Sequence, residues 1–492
     1  MTGLKPSFHH SLLSVVVVLL GLFVIQPILE PSVNRLQVRE RSYFWVGVNY
    51  PWKSYQDFGT GAWGHSGVSN PTTFAEIDAD FANMHAQGIR IIKWRIFNDG
   101  RYSPEFDDSG YVTGLDEKFF PDVDAALELA RRHDLFLVFT LFASGFWTTD
   151  CSVNDVRIGG HANTLLSGRN RASLVDNAVV PLLKHIGRND RVLAYEIIAE
   201  PEWGITGLYN DGDFRRQVPL ISVRSMVRNV VWSVHKYAGA LTTVESNRPS
   251  NMRNWTGLGL DYYSFSWYDW MAPWEPLETV LSRNELDRPV VLGEIPVDSE
   301  EISLGQALTT SYRQGLAGAF AWSYWGGDGF GAWSRAQPQY ADWARSAWRE
   351  VDISGGTPLP ADDPALVPQP YTYQNLSLGS TRSGVSVELD LAIRDGGQHT
   401  VKVYLNDLAD KEVQLESGQR LSARPGEASR ITASFPTVLD GHVYKVSVGL
   451  FDVSGTLVKW FDGLSLVSLR NGQVETPSRS TIQENPCASS AH

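Results

Sequence analysis

Short apolar runs alternate with longer amphipathic segments along residues 43–350. Residues 117–133 and 223–237 place apolar side chains at helical spacing, with charged side chains on the opposite face. This alternation is typical of parallel β-α-β units, and eight apolar runs predict a closed (β/α)8 barrel. The predicted barrel strands are residues 44–48, 89–95, 136–141, 192–198, 241–245, 263–266, 290–294 and 317–322.

The pattern changes after the predicted barrel. Five prolines fall within a polar stretch, which predicts an extended linker. Short strand-like runs separated by turn residues follow, at 385–391, 399–405, 429–435, 444–451 and 457–461. We therefore predict a (β/α)8 barrel followed by a small all-β sandwich, with the barrel at 41–351, the linker at 352–372, the sandwich at 373–470 and a disordered tail at 471–492.

The N-terminal region carries an apolar run over residues 12–29, preceded by Lys5 and two histidines. This pattern predicts that residues 1–40 are a signal peptide or a signal anchor, and the sequence leaves both open. We therefore expect an exported protein that is extracellular, periplasmic or anchored to the outer face of the membrane. In the anchored case, residues 12–29 would form the membrane tether.

Composition narrows the possible partners. The 492 residues have a formal net charge of −13, and no basic stripe is present to neutralise phosphates, which argues against nucleic-acid binding. The 17 Trp, 18 Tyr and 21 Phe supply flat rings suited to the apolar faces of sugars, although most aromatic residues are expected in the core. With only Cys151 and Cys487, the chain predicts no metal cluster and no disulfide, and we expect neither metal nor cofactor.

Two predicted strands end in glutamate. Residues 194–203 read AYEIIAEPEW and include Glu200, and residues 288–296 read RPVVLGEIP and include Glu294. Because barrel active sites lie at the carboxyl ends of the strands, both carboxylates should reach the barrel mouth. Glycosidic bond cleavage uses such a pair, with one group protonating the leaving oxygen and the other attacking the sugar or activating water. The sequence therefore predicts an enzyme that acts on carbohydrate.

Several strand ends, taken in order, resemble glycoside hydrolase family 5, a clan A family of retaining (β/α)8 enzymes. The family's Asn-Glu-Pro after strand four matches residues 199–201 (AEP), and its strand-seven glutamate matches Glu294. The resemblance implies that Glu200 is the acid/base and Glu294 the nucleophile. It also implies that Arg95 and Tyr268 contact the nucleophile and that Trp322 forms the floor of the subsite for the cleaved sugar.

Other strand ends supply further candidates for the same cleft: Asn49 and Trp52 after strand one, and Asp99 after strand two. Residues 94–100 (WRIFNDG) resemble mannanase-like and cellulase-like members of the family. The resemblance therefore implies a β-mannan or β-glucan substrate. We expect a monomer whose partner is this carbohydrate.

The chain departs from the family at two positions, where Ala199 replaces the usual asparagine and Ser266 replaces a frequent histidine. These departures leave open a noncatalytic glycan-binding barrel in an envelope or exopolysaccharide system. A transglycosylase is also open, because two carboxylates serve transfer to a sugar hydroxyl as well as hydrolysis. Two further glutamates lie close to Glu200. We expect Glu196 to be structural and paired with Lys93 or Arg95, and Glu202 to be solvated.

Overall fold

The computed structural model describes residues 35–477 except 39, 55–56, 61–65, 154–155, 209–216, 327–330, 362, 382–383, 409 and 411–412. The predicted apolar segment at 12–29 lies outside these residues. Within the described part of the chain, no helix is both long and apolar enough to cross a membrane.

Eight parallel strands close into a barrel, which confirms the predicted fold. Their interiors are buried on both faces, which explains why they are near-continuous apolar runs in the sequence. Each strand is hydrogen-bonded to the next one along the chain, and β8 pairs with β1 to close the barrel. The strands are β1 (Trp45–Asn49), β2 (Ile91–Asn98), β3 (Phe136–Ala143), β4 (Val192–Ala199), β5 (Leu241–Ser246), β6 (Tyr263–Ser266), β7 (Val290–Pro296) and β8 (Gly318–Trp322).

Helices surround the barrel. The first, α1 (Pro71–Ala86), begins where the Asn70 side chain accepts a hydrogen bond from Thr72 N at 3.0 Å. The remaining α-helices are Phe119–Arg132, Gly145–Thr148, Ala162–Leu166, Gly168–Leu174, Val180–Ile186, Leu220–Tyr237, Val280–Arg283, Leu304–Gln314 and Trp333–Val351. A π-helical turn spans Val175–Val179, and 3₁₀ turns span Pro201–Gly204, Pro249–Trp255, Asp269–Met271 and Leu277–Thr279. Two-stranded ribbons pair Leu36–Val38 with Arg41–Tyr43, Glu105–Phe106 with Val112–Gly114, and Asp150–Val153 with Val156–Gly159.

The C-terminal region forms two antiparallel sheets around an apolar core, consistent with the predicted sandwich. One sheet has the order β9-β10-β13, and the other has the order β12-β11-β14-β15-β16. The strands are β9 (Tyr371–Ser380), β10 (Val385–Ile393), β11 (Gly397–Asp407), β12 (Gln414–Ala423), β13 (Ala428–Phe435), β14 (Val443–Phe451), β15 (Leu457–Arg470) and β16 (Gln473–Glu475). Thus β9 begins inside the stretch assigned to the linker, and β16 lies in the stretch assigned to the tail.

The linker and the sandwich both contact α1. Asn83 donates to Val367 O at 3.0 Å and accepts from Val367 N at 2.6 Å, so the linker is held by a reciprocal pair of hydrogen bonds. Lys459 of β15 forms an ion pair with Glu76 of α1 at 2.7 Å. One side of the barrel is therefore joined to the C-terminal region through polar contacts.

One expectation about the cysteines is wrong. Cys151, in the ribbon after β3, is disulfide-bonded. Its bonding partner lies outside the described residues.

Candidate active site

Glu294 lies in β7, all of whose residues are buried. Tyr268, which follows β6, donates its hydroxyl proton to Glu294 Oε2 at 2.8 Å. Two cations approach the other oxygen, with Arg95 Nη2 at 3.6 Å and Lys93 Nζ at 3.9 Å from Oε1. Burial raises the pKa of Glu294, whereas Lys93, Arg95 and Tyr268 all favour its charged form. The carboxylate is thus fixed in position and surrounded by groups that stabilise negative charge.

Glu200 follows the last residue of β4 and is only partly buried as a whole residue. Its backbone adopts the left-handed conformation, with φ 50° and ψ 49°, and its N–H donates to Glu245 O at 2.8 Å. Trp203 Nε1 donates to Glu200 Oε2 at 2.8 Å. Burial of the carboxyl group and the charge on Glu294 raise the pKa of Glu200 to about 7, against the hydrogen bond from Trp203 and the nearby Ser266 hydroxyl group. Glu200 can therefore hold a proton while Glu294 is ionised.

A buried ionic network lies directly beneath this pair. Lys93 Nζ is 2.5 Å from Glu245 Oε2 and 3.1 Å from Glu196 Oε2, and Thr140 Oγ1 donates to Glu196 Oε1 at 2.9 Å. Burial opposes the charge on Lys93, but the carboxylates of Glu196, Glu245 and Glu294 outweigh it and raise the pKa of Lys93. Lys93 is therefore a permanent cation at the centre of the barrel.

The net charge of this network depends on which carboxyl groups hold a proton. Burial, followed by repulsion from Glu196, raises the pKa of Glu245 well above its usual range. If Glu245 and Glu200 each hold a proton, two cations, Lys93 and Arg95, face two anions, Glu196 and Glu294. This neutral arrangement avoids an uncompensated buried charge and leaves the negative charge on Glu294.

The Arg95 guanidinium lies between two indole rings. Its central carbon is 5.0 Å from the centroid of Trp322 at the end of β8 and 5.7 Å from the centroid of Trp52 after β1. These distances are typical of cation–π contacts, which hold Arg95 against Glu294. Trp52, Arg95 and Trp322 therefore lie together beside the buried glutamate.

The chain is similar to known proteins in both sequence and structure. No family model matches the chain. Over 360 residues the chain is 24% identical to a mannan endo-1,4-beta-mannosidase of Mytilus edulis. The alignment covers 63% of this chain and 92% of the relative. Over 337 residues the chain is 23% identical to a mannan endo-1,4-beta-mannosidase of Cryptopygus antarcticus. This alignment covers 60% of this chain and 84% of the relative. The chain is a glycoside hydrolase that resembles family 5.

Solved structures agree on the fold of this hydrolase. The beta-mannanase of the blue mussel Mytilus edulis matches with a TM-score of 0.54 and 21% identity, covering 65% of this chain and 96% of that one. The endo-1,4-beta-mannanase of Eisenia fetida matches with a TM-score of 0.52 and 20% identity, covering 62% and 92%. Identity this low supports the shared barrel and nothing finer.

Two of the weaker candidates in the hydrolase are engaged elsewhere. Asn49 donates from Nδ2 to Gly293 O at 3.0 Å and to Ala321 O at 3.2 Å, so its side chain ties β1 to the neighbouring strands β7 and β8. The buried Asp99 carboxylate binds the Arg101 guanidinium, with the shortest distance being 2.7 Å. Both residues therefore have contacts that shape the barrel mouth.

Of the two glutamates near Glu200, Glu196 has an expected partner and Glu202 does not have the expected environment. Glu196 pairs with Lys93, one of the two partners expected. Glu202 is not solvated, because Trp255 Nε1 and Asn247 N donate to its two oxygens at 2.7 and 3.0 Å. Burial raises the pKa of Glu202 to about 7. Glu202 therefore joins the loop after β4 to the loop after β5.

Sequence reasoning missed Glu245 and Trp203. Glu245 lies in a predicted strand, and its charge inside an apolar run could have suggested a partner for Lys93. Gly293 allows Glu245 to approach β7, since a side chain at this position would overlap the Glu245 carboxylate and Ser264. Trp203 gives no comparable signal, because its contact with Glu200 depends on the turn after β4. Among the described residues, no group of three or more His, Cys, Asp or Glu side chains is arranged to hold a metal ion.

Proposed function

We propose that this hydrolase cleaves internal β-1,4 linkages of β-mannan with retention, using Glu200 as the acid/base and Glu294 as the nucleophile. The observation that carries the proposal is the pairing of unlike carboxyl groups at the barrel mouth. Glu294 is buried among Tyr268, Arg95 and Lys93, which favour its charge, whereas the pKa of Glu200 is raised to about 7. Retaining glycosidases need this difference between two carboxyl groups.

The reaction has two steps. In the first, Glu200 donates its proton to the glycosidic oxygen while Glu294 attacks the anomeric carbon, which breaks the C–O bond and forms a glycosyl ester. In the second, Glu200 takes a proton from water, the water oxygen attacks the anomeric carbon, and Glu294 leaves as a carboxylate. Tyr268 and Arg95 orient Glu294 in both steps.

The choice of β-mannan is supported by the two sequence relatives, which are both mannan endo-1,4-beta-mannosidases. β-Glucan is the competing substrate, since sequence resemblance extends to cellulase-like members. Ala199 removes the amide that typical family members direct at the sugar 2-hydroxyl. Because the 2-hydroxyl of mannose is axial and that of glucose equatorial, this gap bears directly on the choice between the two polymers.

Reducing-end release from β-mannan, β-glucan, xylan and bacterial exopolysaccharides tests the proposal, with the chain compared against its Glu294→Ala variant. We expect release from β-mannan that disappears in the variant. Falling viscosity before much sugar is released would mark internal cleavage, and NMR of the first-formed anomer reports retention. Activity confined to another polymer would overturn the proposed substrate. Binding without turnover on every polymer would favour the noncatalytic glycan-binding barrel.

A 2-fluoro mannoside that traps the glycosyl ester tests the assignment of the nucleophile. Mass spectrometry should locate the added sugar on the peptide that contains Glu294. Labelling of another residue would contradict the role proposed for Glu294. Product analysis at high oligosaccharide concentration tests for transglycosylation, since products longer than the substrate show that a sugar hydroxyl replaces water in the second step.

We also propose that this hydrolase is exported and acts as a monomer outside the cytoplasm. The support for export is the apolar run at residues 12–29, which could be cleaved or retained as a tether. Fractionation of expressing cells and N-terminal sequencing of the mature protein separate these cases. Recovery of the full-length chain in the cytoplasm would contradict export. Sedimentation of the purified chain tests the monomer.

A further inference from the structure

Trp325 is an exposed indole at the edge of the cleft. It follows Trp322 by three residues in the segment after β8, and 41% of its surface is exposed. Its ring packs edge-on against Tyr324, with the centroids 5.3 Å apart, and Tyr324 N donates to Asn49 O at 2.9 Å. Trp325 is therefore packed against the end of β1 through Tyr324 while remaining open to solvent.

A buried cation holds one face of this ring. Lys53 Nζ lies 4.0 Å from the Trp325 ring centroid, and only 10% of the Lys53 side chain is exposed. Tyr50 shares a side-chain hydrogen bond with Trp325 and donates its own hydroxyl proton to Asp80 at 2.7 Å. With Lys53 on one face, only the other face of the indole is available to a ligand.

Lys53 is held in turn by α1 and the linker. Its Nζ is 3.0 Å from Asp80 Oδ2 and 3.3 Å from Gln369 Oε1. Gln369 Nε2 also donates to Asp80 Oδ1 at 2.6 Å, so the linker amide contacts both members of the ion pair. Gln369 therefore fixes the geometry of Lys53 and Asp80.

The sandwich completes the arrangement. Glu76, one turn before Asp80 on α1, is 3.9 Å from Lys53 and 2.7 Å from Lys459 of β15. Two carboxylates, Glu76 and Asp80, are thus balanced by Lys53 from the barrel and Lys459 from the sandwich. Glu76 and Asp80 are both buried, so removing either cation leaves a poorly compensated charge next to the other.

We propose that Trp325 is a stacking platform for a sugar residue on the glycone side of the cleft, and that Gln369 of the linker and Lys459 of the sandwich hold this platform in place through Lys53. The substrate class rests on the proposed function: the platform would take the apolar face of a β-linked hexose. The assignment of the side follows from the strand order. Glu200 on β4 protonates the departing part of the chain, whereas Trp322 and Trp325 follow β8 on the opposite side of the barrel.

This arrangement gives the β-sandwich a role in sugar binding that needs no sugar contact of its own. A ring already fixed by a cation loses little rotamer freedom when a sugar stacks on it, so more of the stacking energy appears as affinity. Loosening Lys53 should therefore weaken binding of long oligosaccharides, which reach Trp325. Short ones, which occupy only the central subsites, should be affected less.

Calorimetric titration of the intact Glu294→Ala chain with mannohexaose and mannobiose tests the platform. Adding Trp325→Ala should weaken mannohexaose binding by about tenfold, on the scale of one aromatic contact, and change mannobiose binding much less. Trp232→Ala is the matched control, because Trp232 is exposed on the outer helix Leu220–Tyr237. Equal mannohexaose affinity in the Trp325→Ala and Trp232→Ala variants would overturn the platform.

The role of the linker and sandwich is tested in the same background with Gln369→Ala and Lys459→Met. Each should lower the ratio of mannohexaose to mannobiose affinity by about two- to fivefold, since disordering a contact costs less than deleting it. Lys445→Met, which removes an exposed sandwich ion pair with Asp462, is the control. If Gln369→Ala and Lys459→Met have the same affinity ratio as the control while Trp325→Ala binds mannohexaose more weakly, the link to the sandwich is overturned and the platform is retained.

The outcome is separable from the fate of the proposed function. Failure of the Glu294→Ala parent to bind mannohexaose would contradict the choice of β-mannan. The same variants are then titrated with cellohexaose and cellobiose. The ratio of cellohexaose to cellobiose affinity then tests the platform in the same way. Loss of affinity for both lengths in equal measure would show a general disturbance of the cleft and overturn the assignment of Trp325 to an outer subsite.

Discussion

The barrel and the sandwich bury different chemistry. The barrel encloses Lys93, Glu196 and Glu245 beneath Glu294, all almost completely removed from solvent. The sandwich core is built from apolar side chains such as Val387 and Leu389, which alternate along β10 with more exposed positions. The ion pairs of the sandwich include surface pairs such as that of Arg430, whose side chain is 55% exposed.

This difference separates stability from activity. Buried charges are costly, and a well-packed apolar interior of the same volume is often at least as stable. The barrel keeps its charges where they orient and ionise Glu294, so its interior is organised around the reaction. The sandwich has no such demand on its core, which is packed mainly with apolar side chains. Matched substitutions in the two regions should therefore have unequal effects.

The largest expected effect is on turnover. Glu200→Gln removes the proton donor while keeping the shape of the side chain, so kcat/KM on β-mannan should fall about 10²- to 10⁴-fold. The matched sandwich change, Glu388→Gln, should leave kcat/KM unchanged. Steady-state kinetics and circular dichroism on both variants check this. A Glu200→Gln variant that turns over mannan at the parent rate would refute its role as the acid.

The next effect is on stability. Lys93→Met leaves the buried Glu196 carboxylate without its cation, so the free energy of unfolding should fall by about 3–5 kcal/mol. Adding Glu196→Gln removes that charge and should restore part of the loss. Urea unfolding of the single and double variants measures both changes. A Lys93→Met variant as stable as the parent would contradict the proposed charge balance.

A smaller effect is expected on the pH profile. With its pKa raised to about 7, Glu200 loses its proton as pH rises, so kcat/KM should fall through about pH 7. Glu294 raises this pKa, whereas Ser266, Trp203 and Arg95 lower it. Ser266→Ala removes a group that favours the charged form, so the alkaline limb should move to higher pH. In contrast, Ser447→Ala in the sandwich should not move it, and a downward shift for Ser266→Ala would reject this electrostatic account.

The smallest effect is expected on the sandwich surface. Arg430 contacts Asp390 and Glu388 on the face of β10 and β13. Because these groups are exposed, Arg430→Ala should change the free energy of unfolding by less than about 1 kcal/mol, with activity intact. Thermal unfolding with a mannanase assay checks both. A loss as large as that of Lys93→Met would remove the contrast between the two regions.

The sequence predicted the barrel more completely than the sandwich for a physical reason. A parallel strand covered on both faces, such as β7, has an apolar run that stands out from its surroundings. In the sandwich, the edge strands β9 and β12 were missed. Most β9 residues are exposed or half-buried, and β12 is rich in polar residues, so neither shows a strong apolar pattern. Tertiary pairing with β10 and β11 holds these two strands in place.

The same reasoning explains the site. Glu294 could be anticipated because strand order brings its chain position to the mouth of the barrel, and the family resemblance implied Arg95 and Tyr268 as its neighbours. The Asp99–Arg101 contact and the burial of Glu202 depend on how individual loops turn, which periodicity does not encode. Lys93 and Glu245 could be placed inside the barrel but not paired, since pairing depends on the relative register of β2 and β5.

The left-handed backbone at Glu200 has a consequence for how such a chain evolves. Glycine adopts this conformation freely, whereas other L-residues pay about 1–2 kcal/mol. Glu200→Gly should therefore survive heating at least as well as the parent, even though it lacks the acid. Selection for thermal endurance alone would favour losing this glutamate. Its presence in a population of such sequences would thus record continued selection for cleaving sugars.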